Sequence, residues 1–257
     1  MRGMYGDSVT QTVILAAGMG TRLGSAEVGV PKPLMSIGGT PLVGYALAHA
    51  EASGCSEAVV VIGYEGARVR EAVEAIDTSM TIRFVENRVP AEPNGHSLLA
   101  AEAVAAPRFF LQMVDHLFAT PVLTKLAKTP MREGESARLL VDRAPVGLDL
   151  SDATRVRIEA ERITAIGKGI DPWDAIDTGV FLLTRSVFDA IRGVPASEPL
   201  TVSSAMRRLA RNGSFGAVEI GDVAWVDVDT PADRHDAEQR LARWGRTAPV
   251  EVVAPAT

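Results

Sequence analysis

The chain has 257 residues, 47% hydrophobic and 23% charged, with a formal net charge of -6, the make-up of a globular enzyme with one large core. That acidic balance argues against a nucleic-acid partner, which would want a basic face, but not against a nucleotide met by a local cluster of Arg and Lys. The single cysteine, Cys55, excludes an internal disulfide and a multi-cysteine metal site; no apolar run approaches a membrane span and the first ten residues lack a signal-peptide core, so the expected location is cytoplasmic.

After a polar lead-in over residues 1–10, the chain is organised around residues 12–34, TVILAAGMGTRLGSAEVGVPKPL. The unbroken apolar run 13–17 predicts a strand buried on both faces of a parallel sheet. Gly18 and Gly20 let the backbone turn sharply and approach a ligand. Thr21 adds a hydroxyl, Arg22 a permanent cation, and Lys32 a second cation between Pro31 and Pro33. Strand, glycine turn and two cations suit a phosphate chain, with backbone N–H groups cradling oxygens and side chains neutralising charge. The loop is not a P-loop, which needs four residues between its glycines and then Gly-Lys-Ser/Thr; nor is it the dinucleotide fingerprint, because Leu23 stands where the third glycine should be. On the glycines alone the competing reading is a tight turn with two surface cations.

Residues 41–53 have helical spacing, with Thr40 placed to cap and Gly54 to end the helix. His49 within it reads as structural, and Cys55 after it as a small buried filler. Strands are predicted over 58–62 and 81–86 with a helix over 66–76 between them, completing a β-α-β-α-β pattern and a parallel sheet with right-handed crossovers. Residues 87–95 read as a loop, Asn94-Gly95 as a turn, and 97–105 as a small-residue helix whose N-terminus favours anions. A strand over 108–114 delivers Asp115-His116 at its carboxyl end, where ligands bind in open α/β sheets. Asp115 is thus placed as a metal-binding carboxylate, or as a cap for the next turn.

A helix over 121–128 and a strand over 138–142 follow. Residues 149–169 read as a β hairpin over the active site, with Lys168 held between two glycines. Asp177-Thr178-Gly179 leads into an apolar strand and offers a carboxylate, a hydroxyl and open backbone for a polyhydroxylated ligand; a plain turn would look the same. Residues 201–212 form an amphipathic helix closed by Gly213, with its arginines on a solvated face, and 215–219 return to strand. In 224–230, AWVDVDT, extended backbone puts Asp227 and Asp229 on one face. One of them could instead serve the last helix, which starts at Pro231 with Thr230 as cap. A single domain over 1–245 is expected, with a frayed tail over 246–257.

The string Leu15-Ala16-Ala17-Gly18-Met19-Gly20-Thr21-Arg22-Leu23, with Pro31-Lys32-Pro33-Leu34, resembles the signature of nucleotidyltransferases that activate sugar phosphates and related phosphomonoesters. Further motifs fit one branch: Glu92-Pro93-Asn94-Gly95-His96-Ser97-Leu98-Leu99, Met113-Val114-Asp115-His116, Ile166-Gly167-Lys168, Asp177-Thr178-Gly179 and Trp225-Val226-Asp227-Val228-Asp229-Thr230-Pro231. Together they look like the CTP:inositol-1-phosphate cytidylyltransferases over about residues 12–240. The hexose-phosphate branches carry a Gly-Thr-Ala type turn where this chain has Asn94-Gly95-His96-Ser97.

The resemblance implies an α/β fold of the nucleotide-diphospho-sugar transferase type: a Rossmann-like, mostly parallel sheet, helices on both faces and a small β insertion over the active site. Its partners are a nucleoside triphosphate and a small phosphorylated acceptor, with Mg²⁺ as cofactor and neither nucleic acid nor membrane. The backbone of Leu15, Ala16, Ala17 and Gly18, with Gly95 and Ser97, would hold the base, and Gly20, Thr21 and Arg22 the triphosphate. Arg22 would counter charge on the departing pyrophosphate, and Lys32 would bridge the acceptor phosphate and the α-phosphate. Asp115 with Asp227, Asp229 or both would hold the metal. Lys168 would meet the acceptor phosphate, and Asp177, Thr178 and Gly179 its hydroxyls. No general base is demanded, because a phosphomonoester is already ionised. Alternatives are a sugar-1-phosphate nucleotidyltransferase using another triphosphate and a phosphocholine or phosphonate cytidylyltransferase. Outside that chemistry stand a nicotinamide-dependent oxidoreductase and a non-catalytic nucleotide sensor.

Overall fold

A computed structural model describes residues 9–20, 30–128 and 130–244; Thr21, Arg22 and the tail over 246–257 lie outside them. The first segment is β1 (Gln11–Leu15), followed after a 3-10 turn at Lys32–Leu34 by the short pair β2 (Ser36–Ile37) and β3 (Thr40–Pro41). Then come α1 (Leu42–Ala52), β4 (Glu57–Ile62), α2 (Gly66–Glu74), β5 (Thr81–Glu86), α3 (Gly95–Ala100), β6 (Arg108–Met113) and β7 (His116–Phe118). The second half holds α4 (Leu123–Ala127), β8 (Ala137–Asp142), β9 (Arg155–Glu159), β10 (Arg162–Gly167), β11 (Ala175–Thr184) and α5 (Ser186–Arg192). It closes with α6 (Val202–Arg211), β12 (Phe215–Glu219), β13 (Trp225–Asp227) and α7 (Pro231–Trp244).

Nine strands form one sheet in the order β5-β4-β1-β6-β11-β8-β12-β10-β9. The pairs β4–β5, β1–β4, β1–β6 and β8–β12 are parallel, while β11 and β10 run against their neighbours. All strands but those two therefore point one way, as expected of an α/β sheet whose crossovers are helices. Along β1, Val13 and Leu15 face one side and Ile14 the other, because strand side chains alternate. Ile14, Val60 and Phe110 meet α1, α2 and α4 on one face, whereas Val13, Val59 and Leu111 meet α3, α5 and α6 on the other. Both faces are thus covered, which explains why these strands read as continuous apolar runs.

β11 lies between β6 and β8. Being reversed, it begins at the end of the sheet where β1, β6 and β8 finish, so Asp177 and Asp115 arrive at one edge. Its pairing with β8 slips between Asp177 and Phe181, and Gly179 sits in that bulge with φ at +73°. A bulge bends a strand and re-aims its side chains. The triplet Asp177-Thr178-Gly179 is thus part of a strand and not a turn ahead of one. The hairpin of β9 and β10 extends the main sheet and curls back, with β9 also pairing β11 through Val156 and Arg155. Among the described residues no helix is long and apolar enough to cross a membrane.

Thr40 does not cap α1. It pairs with Ile37 in the β2–β3 hairpin, and the helix starts after an extended Pro41 that makes no side-chain cap. α3 begins at Gly95 and ends at Ala100, because the next amides bond back three residues, Ala101 to Leu98 and Glu102 to Leu99. Thr201 caps α6 by accepting from the Ser204 amide. At α7 the amide of Asp233 bonds the Thr230 hydroxyl while the Asp233 carboxylate accepts from the amides of Asp229 and Thr230. Asp233 therefore serves the cap, which leaves the side chains of Asp227 and Asp229 for the site.

Cys55 is buried and its thiol is pushed up to about 12 by burial, as befits a filler. His49 is buried in α1 with its ring edge-on to Phe118, centroids 5.7 Å apart. Burial pushes its pKa from 6.5 down to about 4. The unfolded chain therefore binds this proton near pH 6.5 and the folded chain only near pH 4. Stability from this group is complete above pH 6.5 and lost as pH falls towards 4, by roughly 3 kcal/mol. The pH profile of the urea midpoint should accordingly be flatter across that window in His49→Leu than in the wild type; parallel profiles would contradict this.

Candidate functional site

Two cavities open at the carboxyl end of the sheet. The smaller, about 260 Å³, is lined by Leu15, Ala17, Gly18, Gly20, Lys32, Glu92 and Ser97, among others. The larger, about 580 Å³, is lined among others by His116, Lys168, Asp177, Gly179, Arg207 and Asp227. Asn94, Met113, Asp115 and Asp229 line both, so the cavities meet where these carboxylates stand.

At that junction the Lys32 ammonium lies 2.5 Å from Asp115 Oδ2 and 2.5 Å from Asp229 Oδ1. Lys32 comes from the 3-10 turn after Pro31, Asp115 from the end of β6, and Asp229 from the segment after β13. That segment is held by the Val228 amide donating to the Asp115 carbonyl. Burial works against the charge on Lys32, yet Asp115 and Asp229 outweigh it and hold its pKa above the usual value. Burial likewise opposes ionisation of Asp115, but Lys32 and then His116 hold its carboxyl well below the usual range. Lys32 and Asp115 are therefore both charged near neutral pH.

His116 Nδ1 lies 2.8 Å from Asp115 Oδ1. The imidazole is stacked on Trp225, with centroids 5.6 Å apart and planes 10° apart, and Trp225 Nε1 donates to the buried Asp142 at 2.8 Å. Its other face lies against Gly179, where a Cβ would come within 2.8 Å of the ring. Ring, indole and glycine together fix the orientation of Asp115. Asp177 accepts from the Gly179 amide, yet burial pushes its pKa up to about 6. Asp227 is also raised, mainly by burial. It faces His116 across the β7–β13 ladder and lines the larger cavity, whereas Asp229 reaches Lys32.

Of the residues singled out from sequence that lie among the described residues, most converge here, but three do not line either cavity. Ala16 is buried, with its amide bonded to the Val61 carbonyl at 2.9 Å. The Gly95 amide donates to the Leu200 carbonyl at 3.0 Å and is not open to a base. Thr178 is buried and its hydroxyl donates to the Leu140 carbonyl at 2.8 Å, so it ties β11 to β8 instead of facing a ligand. Lys168 lines the larger cavity at its exposed rim, paired with Asp152. Arg207, read from sequence as part of a solvated face, lines the larger cavity, and Asn94 lines both. Helical periodicity carried no signal for Arg207, because the face it occupies is solvent-facing along α6 and cavity-facing only at its first two turns.

Asp115 and Asp229 already gather one cation between them with hard oxygen donors. Among the described residues there is no cluster of three or more His, Cys, Asp or Glu able to hold a metal alone. A pair of carboxylates completed by substrate phosphate oxygens is the arrangement that suits a small hard divalent cation.

A family model for the MobA-like NTP transferase domain matches residues 12–144, over half of the chain. The chain is similar to a bifunctional IPC transferase and DIPP synthase of Rubrobacter xylanophilus, 35% identical over 242 residues that cover 92% of this chain and 54% of the relative. It is also similar to a CMP-5'-(3-aminopropyl)phosphonate synthase of Streptomyces rubellomurinus, 29% identical over 248 residues, 90% of this chain and 39% of the relative. The chain spans about half the length of the curated relatives it matches. Among solved structures it resembles the inositol-1-phosphate CTP transferase from T. maritima, with a TM-score of 0.82 and 26% identity over 92% of this chain and 97% of the other. The architecture is thus that of the nucleotide-diphospho-sugar transferases.

Proposed function

The chain belongs to the MobA-like NTP transferase domain family, and on that premise we propose that it is a Mg²⁺-dependent cytidylyltransferase joining CTP to inositol 1-phosphate, releasing pyrophosphate. The observation that carries this reading is the meeting of two cavities at the Asp115–Lys32–Asp229 cluster. One cavity takes the nucleotide, the other the acceptor, and the reacting phosphates meet at the cations between them. An acceptor phosphate oxygen attacks the α-phosphorus, the new P–O bond forms, and the bond to the bridging oxygen of pyrophosphate breaks. Bringing two polyanions together is an electrostatic and positional problem.

Lys32 neutralises the approaching phosphates, and Arg22 and Thr21 of the glycine loop hold the triphosphate. Asp115 and Asp229 are the residues to hold Mg²⁺, which neutralises phosphate charge when bound. The choice of CTP is supported by the likeness to an inositol-1-phosphate CTP transferase and to a CMP-5'-(3-aminopropyl)phosphonate synthase. The larger cavity offers hydroxyls and carboxylates from Thr154, Thr201, Ser203, Asp177 and Asp227, partners for a polyol. It lacks the aromatic cage that a quaternary ammonium seeks: of its two aromatic side chains, Phe181 and Trp225, the second is already stacked on His116.

A second reading is an aminoalkylphosphonate acceptor, whose ammonium would sit among Asp149, Asp152, Asp177 and Asp227 in the same cavity. Pyrophosphate release with CTP, UTP, dTTP, ATP and GTP against inositol 1-phosphate, glucose 1-phosphate, phosphocholine and 2-aminoethylphosphonate separates these. The expected result is the highest kcat/KM for CTP with inositol 1-phosphate. A purine preference would overturn the base assignment, and a phosphonate preference would replace the polyol with the second reading.

A further inference from the structure

The reacting phosphates belong at the junction of the cavities, so the rest of the acceptor must extend into the larger one, away from Lys32. Arg207 lines that larger cavity and not the smaller. Its Nη2 donates to Ser204 Oγ at 2.8 Å and lies 3.5 Å from Glu198 Oε2. Nε and Nη1 make no hydrogen bond among the described residues, so each edge of the guanidinium keeps one free donor beside the engaged Nη2.

The helix that carries it is held firmly at its start. The Val202 amide donates to Asn94 Oδ1 at 3.0 Å, the Gly95 amide to the Leu200 carbonyl at 3.0 Å, and the Ser204 amide to Thr201 Oγ1 at 2.9 Å. A Cβ on Gly95 would fall 2.3 Å from the Leu200 carbonyl oxygen, so no bulkier residue allows this approach. Arg207 is therefore presented from a backbone fastened to the nucleotide side of the site.

We propose that Arg207 sets acceptor specificity by donating a free guanidinium N–H to a hydroxyl group of the acceptor in the larger cavity. The proposal rests on the cytidylyltransferase reading above. A polyol hydroxyl can accept from the free Nη1 or Nε, and an acceptor without hydroxyls leaves that donor unmatched in the bound complex. Lysine keeps the charge but cannot hold Ser204 and Glu198 with one nitrogen while offering another to the acceptor.

The test uses Arg207→Leu and Arg207→Lys with CTP and Mg²⁺, comparing inositol 1-phosphate with phosphoethanolamine and monitoring thermal stability. In Arg207→Leu the KM for inositol 1-phosphate should rise about thirtyfold. The kcat/KM ratio of inositol 1-phosphate over phosphoethanolamine should fall at least about tenfold in both variants, while the KM for CTP moves far less. If Arg207→Leu does not fold, the ratio in Arg207→Lys decides. An unchanged ratio overturns the role of Arg207 and leaves the cytidylyltransferase reading standing. A wild-type enzyme inert with CTP and every phosphomonoester overturns both, and is told apart because it appears before any substitution.

Discussion

Lys32→Ala is expected to lower kcat/KM for CTP about a thousandfold, roughly 4 kcal/mol of barrier. Lys32 is the cation held at the junction of the cavities, 2.5 Å from each of two carboxylates, and its charge is in place before the phosphates arrive. The same substitution leaves Asp115 and Asp229 facing each other without their shared partner. Removing one member of a mostly buried ion cluster costs about 3 kcal/mol, so the melting temperature should also fall. Mg²⁺ should restore more of that loss in the variant than it adds to the wild type, because a divalent cation can take the vacated place between the carboxylates. Steady-state kinetics and thermal denaturation with and without Mg²⁺ check both parts. Near-normal turnover would remove Lys32 from the chemistry, and a melting temperature indifferent to Mg²⁺ would remove the carboxylate pair as a cation site.

Asp115→Asn should lower turnover by at least about a hundredfold, with Asp229→Asn close behind. Both carboxylates touch Lys32 at the junction. Asp227 lines the larger cavity and pairs with His116, so on the proposed reading Asp227→Asn should act chiefly on the KM of the acceptor. The discriminating measurement is the Mg²⁺ concentration giving half-maximal rate. It should rise at least about tenfold in Asp115→Asn and Asp229→Asn and far less in Asp227→Asn. A large shift in Asp227→Asn with none in Asp229→Asn would exchange their roles.

Much of this arrangement is legible in the sequence, for identifiable reasons. β1, β4 and β6 are apolar runs covered on both faces, and such strands announce themselves by composition. Asp115 is legible because it follows one of them directly, and strand ends are where open α/β sheets bind ligands. Asp227 and Asp229 are legible as a pair, but the alternation that places them on one face cannot say which reaches Lys32. That depends on the chain leaving the ladder after Asp227. Thr178 looks like a ligand-binding hydroxyl and is a strand-to-strand tie, because the bulge in β11 turns it towards Leu140. Gly95 looks like open backbone and is a close contact with Leu200. Arg207 was hidden because its helix is brought to the cavity by a contact far along the chain, the Val202 amide with Asn94 Oδ1, and no local pattern encodes such a meeting.

The reversed strand β11 has a consequence for how such a chain can diverge. Before it, residues up to Asp115 supply almost the whole of the smaller cavity; beyond position 147 the chain supplies nearly all of the larger one. Only Asn94, Met113, Asp115 and Asp229 belong to both. On the proposed reading, substitutions in the later half can exchange one small phosphorylated molecule for another while the grip on the triphosphate stays intact. Substitutions at the four shared positions are felt on both sides at once. The chain is laid out so that acceptor choice is free to drift and the bond-making apparatus is not.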